Sequence, residues 1–151
     1  MQAFLQLHRR LTAFDGALSD HGGAVLGLAL RLYIGWQFFK AGLVKLSDWG
    51  ATVTLFRHEY HVPVLPPELA ALMGAGGEIV LPLLLAAGLL ARPAALGLFA
   101  LNAMAVISYP QLFMFDCPAA INDHKYWGLL LLVLVVFGPG RFSLDRLLSR
   151  R

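Results

Sequence analysis

Four long apolar stretches constrain this chain more than any other feature. They cover residues 23–46, 69–90, 94–115 and 119–137. Each is too long for a strand and too continuously apolar for a half-exposed soluble helix. A helical crossing of a bilayer takes about 20 apolar residues, so four crossings use about half of a chain this long. Charged residues make up 14% of the sequence, against about 25% in soluble domains. So few charges cannot coat a soluble surface. Hydrophobic residues make up 58%, which excludes a disordered chain. The pattern predicts an all-α fold: an integral membrane four-helix bundle forming a single domain over residues 1–151, with a tail from 138 onward.

The punctuation between stretches agrees. Pro66-Pro67-Glu68 suits a helix start, because proline fits the first turn and an acid there opposes the helix dipole. Arg92-Pro93 leaves only a short turn between the second and third stretches, so those helices must be antiparallel neighbours. The fourth stretch is too short if it begins at Tyr126 and must start near Ala119 to cross. Asn122, Asp123, His124 and Lys125 then lie at its outer end, where polar groups should face protein, water or headgroups.

Residues 1–22 read differently. Phe4, Leu7, Leu11, Phe14 and Leu18 recur at helical spacing, with His8, Arg9 and Arg10 on other faces. This predicts an amphipathic helix lying on the membrane surface. The 23–46 run is far longer than a signal-peptide core. Arg9, Arg10, Arg92, Arg141, Arg146, Arg150 and Arg151 fall in segments that four crossings place on one side. The positive-inside rule then predicts both termini in the cytoplasm. Trp49, Tyr60, Tyr126 and Trp127 fall near the outer interface.

Arg31, Glu78 and Asn102 interrupt the apolar runs. Counted from the cytoplasmic ends, they lie about 12, 18 and 12 Å deep. An isolated charge at such depth is costly, so an Arg31–Glu78 pair is expected. It has two readings: a structural ion pair that fixes helix register, or a polar floor under a cavity for a quinone head, another small polar molecule or a proton. Arg31, Gly35, Phe38, Gly42 and Lys45 share one helical stripe, which predicts an interior face. Lys40 falls on the opposite side and is expected to snorkel outward. Lys45, Asp123 and His124 are expected at the outer mouth of the bundle.

His58 and His61 stand three apart and can share a helix face to bind a metal, or simply form the polar face of an interfacial helix. His124 with Asp123 can form a proton-transfer pair or a metal site, or serve only as a helix cap. Cys117, the single cysteine, excludes an internal disulfide. It can meet a partner's thiol or remain an inert loop residue. No Walker A loop, GxGxxG or GxSxG occurs. The basic segments match a membrane topology rather than a nucleic-acid surface.

Three motifs resemble the DoxX family of small four-helix membrane proteins. They are the stripe Arg31, Gly35, Phe38, Gly42, Lys45; Glu78 followed by Gly88-Leu89-Leu90-Ala91-Arg92; and GPGRFSLD over 138–145. The stretches YHVPVLPPELAAL and AVISYP resemble a narrower branch, associated with bacterial operons for modified copper-binding peptides. The resemblance implies a membrane subunit of a redox or stress-related assembly; a quinone or other small polar ligand is then expected at the polar positions already singled out, Arg31, Glu78, Asn102, Lys45, Asp123 and His124, and copper on His58 and His61 is the metal the narrower branch implies. It also implies a protein partner, because a chain with one thiol and no redox group of its own cannot move electrons alone. The alternative it implies is a non-enzymatic accessory or scaffold in copper homeostasis.

Overall fold

The computed structural model describes residues 1–114 and 119–149. Cys117, Arg150 and Arg151 lie outside that set. Every regular element among the described residues is helical. Helix α1 covers Gln2–Leu11, and a short α2, Asp15–Ala17, leads through a π-helical turn at Leu18–Gly22 into α3, Gly23–Ser47. Then follow α4, Trp49–His58; α5, Pro67–Ala87; α6, Ala91–Ser108; α7, Ala119–Phe137; and α8, Leu144–Leu148.

Among the described residues, α5, α6 and α7 are long and apolar enough to cross a membrane. Helix α3 is longer, at 25 residues, but carries Arg31, Lys40 and Lys45. The four long helices pack as neighbours in chain order, α3 on α5, α5 on α6 and α6 on α7, while α7 returns to α3 along a sparser seam. Their shared core holds Ile34, Phe38, Leu85, Ala94, Ala95, Leu98 and Leu131. Small residues let the backbones approach: a Cβ on Gly77 would strike Leu101, and one on Gly97 would strike Leu81. The outside is oily. Leu32, Trp36, Leu83, Leu96, Leu129 and Val136 are all exposed, a surface suited to lipid rather than water.

The chain ends of the helices follow local chemistry. Pro67 occupies the first turn of α5, where a missing N–H costs nothing. Helix α5 stops at Gly88, in the left-handed conformation at φ 69°. Helix α6 ends at Ser108 rather than continuing, because Pro110 follows, and a 3-10 turn covers Pro110–Phe113. Asn122 and Asp123 lie inside α7 and do not cap it.

The GPGRFSLD segment is a clamp on the α5–α6 turn. The Asp145 carboxylate accepts from the amides of Leu90 and Ala91, at 2.8 and 2.9 Å. The Asp145 amide donates to the Gly88 carbonyl at 2.9 Å. Ser143 accepts from the Arg146 amide and caps α8. Asp145, in the first turn of α8, instead caps the start of α6.

Candidate functional site

The expected Arg31–Glu78 pair does not form. Side chains on a helix lean toward its N-terminus, and both basic residues of the α3 stripe obey this. Arg31 leans back toward the start of α3, where α5 ends. Its guanidinium donates to the carbonyls of Leu85 and Ala86 at 3.5 and 3.4 Å, and to Phe142. It also reaches Gly27 of its own helix at 3.4 Å. No part of the Arg31 residue is exposed. The guanidinium covers the carbonyl end of α5, where the helix dipole favours a cation.

Lys45 leans the same way from the far end of α3 and so reaches inward. Its Nζ lies 2.6 Å from Glu78 Oε2, and the two side chains are 17% and 14% exposed. The stripe faces inward as its spacing implies: Arg31, Gly35, Phe38 and Gly42 are buried. Gly42 lets the two helices approach here, because a Cβ would lie 3.0 Å from the carbonyl carbon of Glu78. Pro82, one turn along α5, has no N–H to give the Glu78 carbonyl.

Lys45 and Glu78 form the polar wall of a cavity of about 220 Å³. The rest of its lining is mainly apolar, including Phe56, Leu65, Met73, Leu101 and Met104. Tyr60 and Ser108 add hydroxyls. The loop after α4 roofs the cavity. The His61 amide donates to the Ser108 carbonyl at 2.7 Å, and Tyr109 Oη donates to Glu59 Oε2 at 3.1 Å. Phe56, Tyr60 and Tyr109 form a stack with ring centroids 4.7 and 4.8 Å apart. Burial, then the negative charge of Glu78, holds the Tyr60 phenol protonated, with its pKa pushed up to about 12. Burial and the hydrogen bond to Glu59 raise Tyr109 as well.

Asn102 and His124 form a second polar pair between α6 and α7. Asn102 Nδ2 donates to the His124 carbonyl at 2.9 Å, and His124 Nδ1 lies 2.8 Å from Asn102 Oδ1. The His124 ring stands edge-on to Trp127, which stands edge-on to Phe38. Asp123 is exposed beside this pair, and Lys40 is exposed on the outer face of α3. His58 and His61 are exposed at the end of α4 and just beyond it. Among the described residues, no three His, Cys, Asp or Glu side chains come close enough together to hold a metal ion.

Of the residues singled out by sequence, Glu78 and Lys45 meet at the cavity, Asn102 and His124 meet each other, and Arg31 belongs to the opposite end. Sequence reasoning missed Tyr60 and Ser108 as cavity residues. Their placement depends on how a loop folds over the helix ends, which helical periodicity does not encode. The lean of helical side chains, by contrast, would have separated Arg31 from Glu78 and brought Lys45 to it.

Comparison with known proteins is consistent with this architecture. A Haemophilus influenzae protein, itself described only as uncharacterized, is 30% identical over 143 residues, covering 90% of this chain and 91% of that protein. No solved structure matches the chain. The DoxX family profile matches residues 26–111, a stretch that includes the α3 stripe, Glu78 and Asn102. The chain is a membrane protein of the DoxX family.

Proposed function

We propose that this chain is a four-span subunit of a redox assembly in a bacterial inner membrane, and that it holds a quinone-type ring in the cavity beside Lys45 and Glu78. One observation carries the reading: a lysine–carboxylate pair, mostly shielded, forms one wall of an otherwise apolar cavity. A structural ion pair alone needs no adjoining space. The volume is below the ~300–1,000 Å³ of drug-sized sites and suits a single ring whose isoprenoid tail remains in lipid.

The residues fit such a ring chemically. Lys45 supplies a donor to a ring oxygen, and Glu78 holds or releases a proton next to it. The Tyr60 hydroxyl offers a further donor, while the Ser108 hydroxyl already donates to the Met104 carbonyl and can only accept; Met73, Leu101 and Met104 exclude water. The ring would supply two-electron redox chemistry, with electrons exchanged through a partner protein.

The membrane arrangement belongs to the same reading. Helix α3 is the fourth span, its Arg31 and Lys45 turned inward and Lys40 free to snorkel. Helix α1 lies on the surface, its Phe4, Leu7 and Leu11 exposed among the described residues. The arginine-rich termini favour the cytoplasmic side.

The test is lipid extraction from the purified protein. Quinone is expected in wild type and lost in Glu78→Gln and in the double variant Lys45→Met/Glu78→Leu, whose uncharged pair keeps the bundle packed. Wild type that retains no quinone, or folded variants that retain it fully, would refute the cavity's assignment. Metal measured on the same sample tests the copper reading of His58 and His61.

A further inference from the structure

A second cavity, of about 540 Å³, opens at the opposite end of the helices, along the sparse seam between α3 and α7. Gly23, Gly27 and Leu30 form one wall and Phe137 the other, with Arg141 and Arg146 above them. Small residues on α3 account for the space: nothing lies within 4 Å of where a Cβ on Gly23 would stand. Two features of this groove point to a ligand. Its walls are apolar and reach outward, and Phe137 is 79% exposed. Among the described residues the guanidinium groups above meet no carboxylate, the ion pairs there being Lys45–Glu78 and Arg57–Glu68. The nearby carboxylate of Asp145 is occupied by the Leu90 and Ala91 amides.

We propose that this groove is a binding site for an anionic glycerophospholipid of the bilayer, with its phosphate on Arg141 and Arg146 and one acyl chain lying between α3 and α7. A basic rim over an oily slot at the membrane interface is what such a lipid requires. A soluble anion would use the arginines but leave the slot empty. Asp20 stands at the rim. Two arginines outweigh that one carboxylate, so the rim favours a net-anionic headgroup, and Asp20 can accept from its hydroxyls; phosphatidylglycerol meets both conditions. The inference rests on the membrane-spanning reading of α3 and α7 and not on any ligand at Lys45 and Glu78.

The test uses the full chain in detergent, with bound lipid read by native mass spectrometry and the unfolding midpoint followed in parallel. Phosphatidylglycerol is expected to stay bound and raise the midpoint, while phosphatidylcholine and inorganic phosphate do neither. Replacing both arginines, Arg141→Gln and Arg146→Gln, should weaken phosphatidylglycerol binding about thirty-fold. Gly23→Leu fills the slot without touching the arginines, and should lower retention while helix content stays unchanged. It decides the matter if the arginine variant folds poorly. Equal retention of phosphatidylcholine, a midpoint shift reproduced by phosphate alone, or undiminished binding in the folded variants would each overturn the proposal. Quinone content does not enter this readout, so failure here is distinct from failure of the cavity reading.

Discussion

Asn102 and His124 clasp each other at two points, the amide nitrogen of one on the carbonyl of the other and ring nitrogen against amide oxygen, at 2.9 and 2.8 Å. The pairing specifies a tautomer: with Asn102 Oδ1 as acceptor, His124 Nδ1 carries the proton. The clasp ties α6 to α7 at a point where Gly128 leaves room, since a Cβ there would lie 3.3 Å from Asn102 Nδ2. Asn102→Leu removes both contacts and leaves the His124 ring N–H facing an apolar surface, while the His124 carbonyl keeps only its bond within α7. A loss of about 1–3 kcal/mol is expected, read as a lower unfolding midpoint in detergent. Asn102→Asp keeps an acceptor for the ring and should lose less than Asn102→Leu. Equal loss in the two variants would show that the ring contact contributes nothing.

Much of the fold is readable from sequence because apolar length and periodicity act locally. The oily runs, the proline at the start of α5, and a connection too short for anything but antiparallel neighbours all follow from residues close together in the chain, although that turn falls at Gly88–Leu90 rather than at Arg92-Pro93, because proline is tolerated in the first turn of α6. The inward face of α3 follows from spacing alone. The partners across that face do not. Depth counted from the span ends places Arg31 and Glu78 at compatible levels, but depth describes Cα positions, and an arginine or lysine acts several ångströms from its Cα. Direction decides the pairing: both bases lean toward the start of α3, so Arg31 meets the carbonyls of Leu85 and Ala86 while Lys45 meets Glu78. The GPGRFSLD segment shows the same limit. Gly138 ending α7 in the left-handed conformation and Ser143 capping α8 are local features. The Asp145 grip on Leu90 and Ala91 joins residues far apart in the chain and emerges only from the packing.

That grip is testable. Asp145→Ala frees two amides at the start of α6 and detaches the tail from the α5–α6 turn. Loss of a helix cap costs about 0.5–2 kcal/mol, and a cap made to two amides belongs at the upper end. Arg31 and Phe142 are joined across the same turn, so the tail should loosen as a unit. Hydrogen exchange is expected to rise at Leu90, Ala91 and residues 142–148 together, with α7 unaffected. Asp145→Asn retains one acceptor oxygen and should show an intermediate effect. A change confined to α8 would mean that the clamp does not hold the turn.

The roof of the cavity makes the chain sensitive to alkali. An ordinary tyrosine titrates near ~10, whereas Tyr60 in the folded protein titrates at about 12, mainly because it is buried and secondarily because Glu78 is near. Between these values the unfolded chain has lost a proton that the folded chain keeps. Stability is therefore complete below the lower value and falls as pH rises through the window. A shift of two units corresponds to about 2–3 kcal/mol, and partial solvent access to a half-buried ring brings it to about 2. Unfolding measured across this range should steepen in wild type and flatten in Tyr60→Phe, which keeps its place in the stack between Phe56 and Tyr109. Tyr109 is raised in the same direction, so some slope remains until Tyr109→Phe is added. Arginine and lysine titrations are common to all three proteins and cancel in the comparison. Identical slopes in wild type and Tyr60→Phe would place the phenol in water and leave the cavity without its roof.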